Sequence, residues 1–133
     1  MNTKNVIAMS AFFGATAVIL GAFGTHALKG LLPDDRLQTW HTGVEYQIYH
    51  ALALLAVAIL IRLDNKKSYY WAAGFFIAGI FLFSGSLYLL AVRNLISMEN
   101  QLWIGAITPI GGLCFMAGWI ALFLGILRQK RGE

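Results

Sequence analysis

Apolar residues gather into four long blocks along this chain, and charged residues collect in the short stretches between them. Each block can cover the roughly twenty residues that an α-helix needs to cross a bilayer core. The pattern predicts helices over about 6–28, 34–63, 69–92 and 103–127. Pro33 suits a first helical position, and Asp34 and Asp35 suit the positive end of a helix dipole, so the second helix is expected to begin near Asp34. Residues 29–33 and 93–102 are expected to form two outer connections, 62–68 an inner turn, and 128–133 a basic, mobile tail. The fold class that follows is all-α: an integral membrane four-helix bundle forming one domain over 1–133.

Composition strengthens this reading. Hydrophobic residues make up 59% and charged residues 12%, against about a quarter charged in soluble domains. A soluble chain this short could not bury so much apolar surface. The apolar run over 6–23 exceeds a normal signal-peptide core, which favours a retained first helix. The formal charge of +4 does not indicate a nucleic-acid partner, because the basic residues flank the apolar blocks, where they set topology. Lys4, Arg62, Lys66, Lys67, Arg128, Lys130 and Arg131 fall on one side; Lys29, Arg36 and Arg93 fall on the other. That bias predicts a multi-pass protein of the plasma (inner) membrane with both termini cytoplasmic. Trp40, Trp71 and Trp103 lie near helix ends, as interfacial anchors should. Cys114 is the only cysteine, so no disulfide can form within the chain, and inside the fourth block it reads as a packed thiol.

Sliding the chain by 63 residues pairs Lys4 with Lys67, Phe13 with Phe76, Gln38 with Gln101 and Trp40 with Trp103 among ten identities in 70 pairs, where composition alone gives roughly five. The two hairpins are therefore candidates for a tandem repeat about an axis along the membrane normal. Gly111, Gly118 and Gly125 recur every seven residues, as do Gly14 and Gly21. Each set should form a flat stripe that lets a neighbouring helix approach closely.

The candidate chemistry lies mainly on the second helix, where His41, Glu45, Tyr46, Gln47, Tyr49 and His50 precede eleven apolar residues. His41 and Glu45 share a face, whereas His50 lies on roughly the opposite side. The helix should thus show polar groups to more than one neighbour. Counted at about 1.5 Å per residue from Thr42, His50 is about 12 Å deep. Ser84 and Ser86 on the third helix lie at a similar depth, Thr108 and Pro109 are nearby on the fourth, and His26 is near the outer end of the first. Polar side chains in hydrocarbon are costly unless paired or wetted. A shared polar pocket in the outer leaflet, above an apolar floor, is therefore expected, and such a floor argues against a continuous pore. Pro109 removes the hydrogen bond to Gly105 and, with Gly111 and Gly112 beyond it, should kink or open the fourth helix.

Each polar residue also has a structural reading: His50 bonded to Tyr46 or Ser84, Glu45 paired with His41 or Arg36 or reaching outward, and Tyr46, Tyr49 and Tyr88 packed with one hydrogen bond each. His26, His41 and Glu45 are ligand types that suit zinc or iron, but spacing alone does not make them a site, and no metal or cofactor is expected. No nucleotide loop, nucleophile elbow or HExxH motif is present, so hydrolytic chemistry has no support.

The stretches GAFGTHAL (21–28), GVEYQIYHALALL (43–55), LFSGSLY (82–88) and ITPIGG (107–112) resemble the signature segments of a small bacterial inner-membrane family of unknown function that has a eukaryotic transmembrane counterpart. The resemblance implies a four-span plasma-membrane protein and no particular activity. Its pattern maps onto His26, Tyr46, Gln47, His50, Ser84, Ser86, Thr108 and Pro109, and leaves out His41 and Glu45. The expected binding residues are thus His26, Tyr46, Gln47, His50, Ser84, Ser86 and Thr108. The favoured role is a binding or accessory module holding a lipid or small molecule. The alternatives are an oligomeric small-solute transporter or channel, or a structural subunit of a larger membrane complex. Membrane lipids, and further copies of this chain for a transport role, are the expected partners.

Overall fold

The computed structural model describes residues 1–98, 100, 101 and 103–128. Lys130, Arg131 and the rest of the expected tail beyond Arg128 lie outside the described residues. Four helices are long and apolar enough to cross a membrane: α1 (Thr3–Leu28), α2 (Asp34–Leu63), α3 (Lys67–Val92) and α4 (Trp103–Leu127).

Local chemistry explains the boundaries. α1 starts three residues before its apolar block because the Asn2 side chain accepts a hydrogen bond from the Asn5 amide at 2.9 Å and caps the first turn. Pro33 stands one position earlier than expected, as the extended N-cap residue of α2, with Asp34 and Asp35 in the first turn. α3 begins at Lys67, not Tyr69. Pro109 does not open α4, which runs unbroken from Trp103 to Leu127. The departures from α geometry lie elsewhere, in π segments at Gly24–Leu28 of α1 and Ile80–Ser84 of α3.

α2 and α3 form the centre; α1 packs on α2 and α4 packs on α3. Two long cations tie the ends. Arg36 Nη1 donates to the Leu90 carbonyl at 2.7 Å, linking the start of α2 to the end of α3. Lys66 Nζ pairs with Asp64 at 2.8 Å and donates to the Gly125 carbonyl at 3.1 Å, linking the α2–α3 turn to the end of α4.

The α3–α4 seam explains the glycine spacing. A Cβ at Gly125 would meet the Tyr69 ring at 2.7 Å and one at Gly118 the Phe76 ring at 2.6 Å, while one at Gly111 would run into the Phe83 backbone. Tyr69, Phe76 and Phe83 also recur every seven residues, so an aromatic ladder on α3 fills the glycine stripe of α4. Lipid is as apolar as the side chains, so close van der Waals packing of this kind must supply the attraction between helices. Many large apolar side chains, including Val18, Leu52, Phe81, Leu113 and Phe123, remain outward, as a lipid-facing surface requires.

Candidate functional site

Most of the polar side chains expected to share one pocket form three separate contacts instead, because their directions around each helix send them to different neighbours. The first contact joins α1, α2 and α3. The Gln47 amide nitrogen donates to the Phe13 carbonyl at 2.9 Å and to Thr16 Oγ1 at 2.8 Å, and its oxygen accepts from the Tyr88 hydroxyl at 2.8 Å. The second joins α3 to α4 through the hydroxyls of Ser86 and Thr108 at 2.7 Å, with Ser86 also on the Phe83 carbonyl at 2.9 Å.

The third is built around His50, one turn beyond Gln47 on α2 and engaged by α4. Its Nδ1 lies 2.8 Å from the Tyr46 carbonyl oxygen. A carbonyl only accepts, so Nδ1 carries the proton and Nε2 is the acceptor. Nε2 receives the Trp119 indole N–H at 3.2 Å. Phe115 stacks on the imidazole at 3.5 Å with an 8° tilt, and Phe76 sits 5.4 Å away. Beside this stack a groove of about 610 Å³ opens between α2 and α4, walled by Tyr46, His50, Phe83, Pro109, Phe115 and Trp119.

The expected site residues are therefore redistributed. Tyr46 and His50 share the groove. Gln47 borders a smaller cavity of about 230 Å³ between α1 and α3, together with Thr16 and Tyr88. Ser86 and Thr108 face each other. Ser84 is fully buried on the π segment of α3, and its hydroxyl has no hydrogen-bond partner among the described residues. His26 is exposed near the C-terminal end of α1, and it lines neither cavity. The single shared outer pocket is thus corrected to three contacts and one apolar groove. Nor does the groove stay in the half of the bundle where the pocket was expected. Trp119 stands 16 residues into α4 (119 − 103), about 24 Å along it at the usual helical rise.

Trp119 and Phe115 are the residues that sequence reasoning missed. Three tryptophans lie near helix ends, but Trp119 is deep within an apolar span, where an indole N–H needs an acceptor. That need was the available signal. Trp40, expected as an interfacial anchor, is instead buried, with its N–H on the Leu20 carbonyl at 2.9 Å and its ring against Gly24. Arg36 engages Asp35 and Leu90, not Glu45, which is exposed. Among the described residues no three His, Cys, Asp or Glu side chains come together as a metal site requires.

Four apolar spans with outward-facing hydrophobic side chains define an integral membrane protein. The chain belongs to the family described as "Protein of unknown function (DUF423)", which residues 20–112 match. All four signature-like stretches fall within that range. It is 44% identical over 126 residues to the UPF0382 membrane protein YwdK of Bacillus subtilis (strain 168), covering 94% of this chain and 98% of that one. It is 37% identical over 131 residues to the UPF0382 inner membrane protein YgdD of Escherichia coli (strain K12), covering 98% and 95%. A UPF0382 membrane protein of Haemophilus influenzae is 43% identical over 125 residues, covering 94% and 93%. No solved structure matches the chain.

Proposed function

We propose that the protein is a membrane-embedded binding module that holds a lipid-soluble molecule in the groove between α2 and α4, with His50 as its polar contact. The observation that carries this reading is a buried, fully oriented imidazole in the wall of a groove of about 610 Å³, a size in the range of small-molecule sites, roughly 300–1,000 Å³. The lining is aromatic and aliphatic, so it suits a ring or an acyl chain. Trp119 is 49% exposed, so its N–H can yield His50 Nε2 to a hydroxyl or other donor on a ligand. The distribution of polar groups over separate helix pairs favours holding a molecule over conducting one. Relatives named as inner membrane proteins, together with the bias of lysines and arginines, support a plasma-membrane location with cytoplasmic termini. With Cys114→Ala as background, Asn2→Cys should react with an impermeant maleimide only in inverted vesicles; reaction in intact cells overturns that orientation.

The groove is tested by photolabelling the full chain with a diazirine-bearing long-chain alcohol and, in parallel, the matching alkane. The alcohol should label Leu113 and Met116 in preference to Val18 and Ile19 on the outer face of α1. Trp119→Phe removes the competing donor and should tighten the alcohol about fivefold, the equivalent of one neutral hydrogen bond of about 1 kcal/mol. His50→Phe should abolish the preference for alcohol over alkane. Uniform labelling of both faces by both probes would sink the proposal.

A further inference from the structure

We infer that the cleft between the start of α1 and the end of α2 is a binding site for a phosphate group, such as an anionic phospholipid headgroup carries. Thr3, Lys4, Ile7 and Arg62 line a cavity of about 290 Å³ at this end of the molecule. It brings together two cations from two different helices. Among the described residues the ion pairs are Arg36–Asp35 and Lys66–Asp64, so the cleft cations have no carboxylate partner there. Lys66 shows the contrast: on the same side of the bundle it is consumed by Asp64 and the Gly125 carbonyl.

The electrostatics are unfavourable without an anion. Lys4 sits in the first turn of α1, which carries no acidic residue, although the positive end of a helix dipole favours carboxylates over cations. Arg62 then adds a second positive charge to the same cleft. A phosphate between them relieves both costs. The chemistry of the lining also suits it: a guanidinium offers a planar fork to phosphate oxygens, an ammonium acts as a point charge, and the Thr3 hydroxyl can donate a third bond. Ile7, exposed one turn deeper on α1, begins the apolar surface along which an acyl chain would run. Topology alone would be served by cations scattered around the end, with no shared cleft.

The test uses the full chain in phosphatidylcholine nanodiscs, with native mass spectrometry reading the binding of added phosphatidylglycerol. Each direct charge-assisted contact between a cleft cation and the phosphate is worth at least about fivefold in affinity, so Lys4→Gln with Arg62→Gln should weaken phosphatidylglycerol binding about thirtyfold or more. Lys67→Gln with Arg128→Gln removes the same charge from the same end and should leave binding within about threefold of the starting chain. The charge-conserving pair Lys4→Arg and Arg62→Lys should restore it. Inorganic phosphate that displaces the lipid at millimolar concentration assigns the site to the phosphate group alone; failure to displace assigns it to the intact lipid. Equal losses in the two charge-removing pairs, or no loss in the first, overturn the inference. Lys4 and Arg62 are both exposed, so these variants keep the fold, and helical circular dichroism checks that they do.

Discussion

Gly111, Gly118 and Gly125 in α4 and Gly14 and Gly21 in α1 share one spacing, but they meet different surroundings. A side chain at any of the α4 positions would collide with α3, whereas a Cβ at Gly14 meets nothing within 4 Å and one at Gly21 only touches Val44 at 3.4 Å. The difference comes from the opposing helix. α3 offers Tyr69, Phe76 and Phe83 at the matching interval. The face of α2 toward α1 offers polar ties instead: Ser10 Oγ donates to the Ala51 carbonyl at 2.8 Å and Gln47 reaches Phe13 and Thr16. The second hairpin is held chiefly by shape, with the Ser86–Thr108 tie added, and the first leans more on directed hydrogen bonds. A run of small residues thus signals close packing only when a complementary run of large ones faces it.

Three substitutions probe this contrast. The largest effect is expected for Gly111→Ala, whose new methyl must displace the Phe83 backbone; overpacking of this kind costs about 2–3 kcal/mol, read as reduced resistance to unfolding in mixed micelles. Wild-type stability would remove shape as the basis of the α3–α4 seam. Gln47→Leu comes next. It strands the Tyr88 hydroxyl and releases Thr16, and interhelical hydrogen bonds in membranes average about 0.6 kcal/mol with a maximum near 1.7. A loss of about 1–2 kcal/mol is therefore expected in the same assay, and a neutral outcome would show that polar ties do not hold α1. Gly14→Ala is the smallest. With open space around it, the change should fall between neutral and about 1 kcal/mol stabilising, from helix propensity. A penalty equal to that of Gly111→Ala would erase the distinction between the hairpins.

Most of the fold was legible because bilayer thickness imposes a length on apolar blocks that sequence displays directly. The ends of α2 and α4 follow from Asp34, Leu63, Trp103 and Leu127 with no tertiary information. The π segments were not legible, since a shift of hydrogen-bond register reflects packing against neighbours rather than any local residue preference. Pro109 illustrates the reverse error: a residue that disrupts helices in isolation is accommodated within an unbroken one. For the candidate site, depth was readable but azimuth was not. Residue spacing puts Gln47 and His50 only about 60° apart on one helix, as i and i+3 neighbours. It does not say that Gln47 finds α1 and α3, nor that His50 finds Trp119. Counting residues from helix ends placed Ser86, Thr108 and His50 at comparable heights, yet rotation of α3 and α4 delivers the first two to each other and leaves His50 to the groove.

The three-helix contact at Gln47 also bears on how the protein is made. Synthesis runs from the N-terminus, so α1 and α2 emerge before α3, and the Gln47 amide can reach Phe13 and Thr16 while its oxygen still lacks the Tyr88 hydroxyl. An unanswered acceptor in hydrocarbon is a standing attraction for the next donor to arrive. The newborn first hairpin therefore carries its own docking instruction, and α3 completes it on insertion.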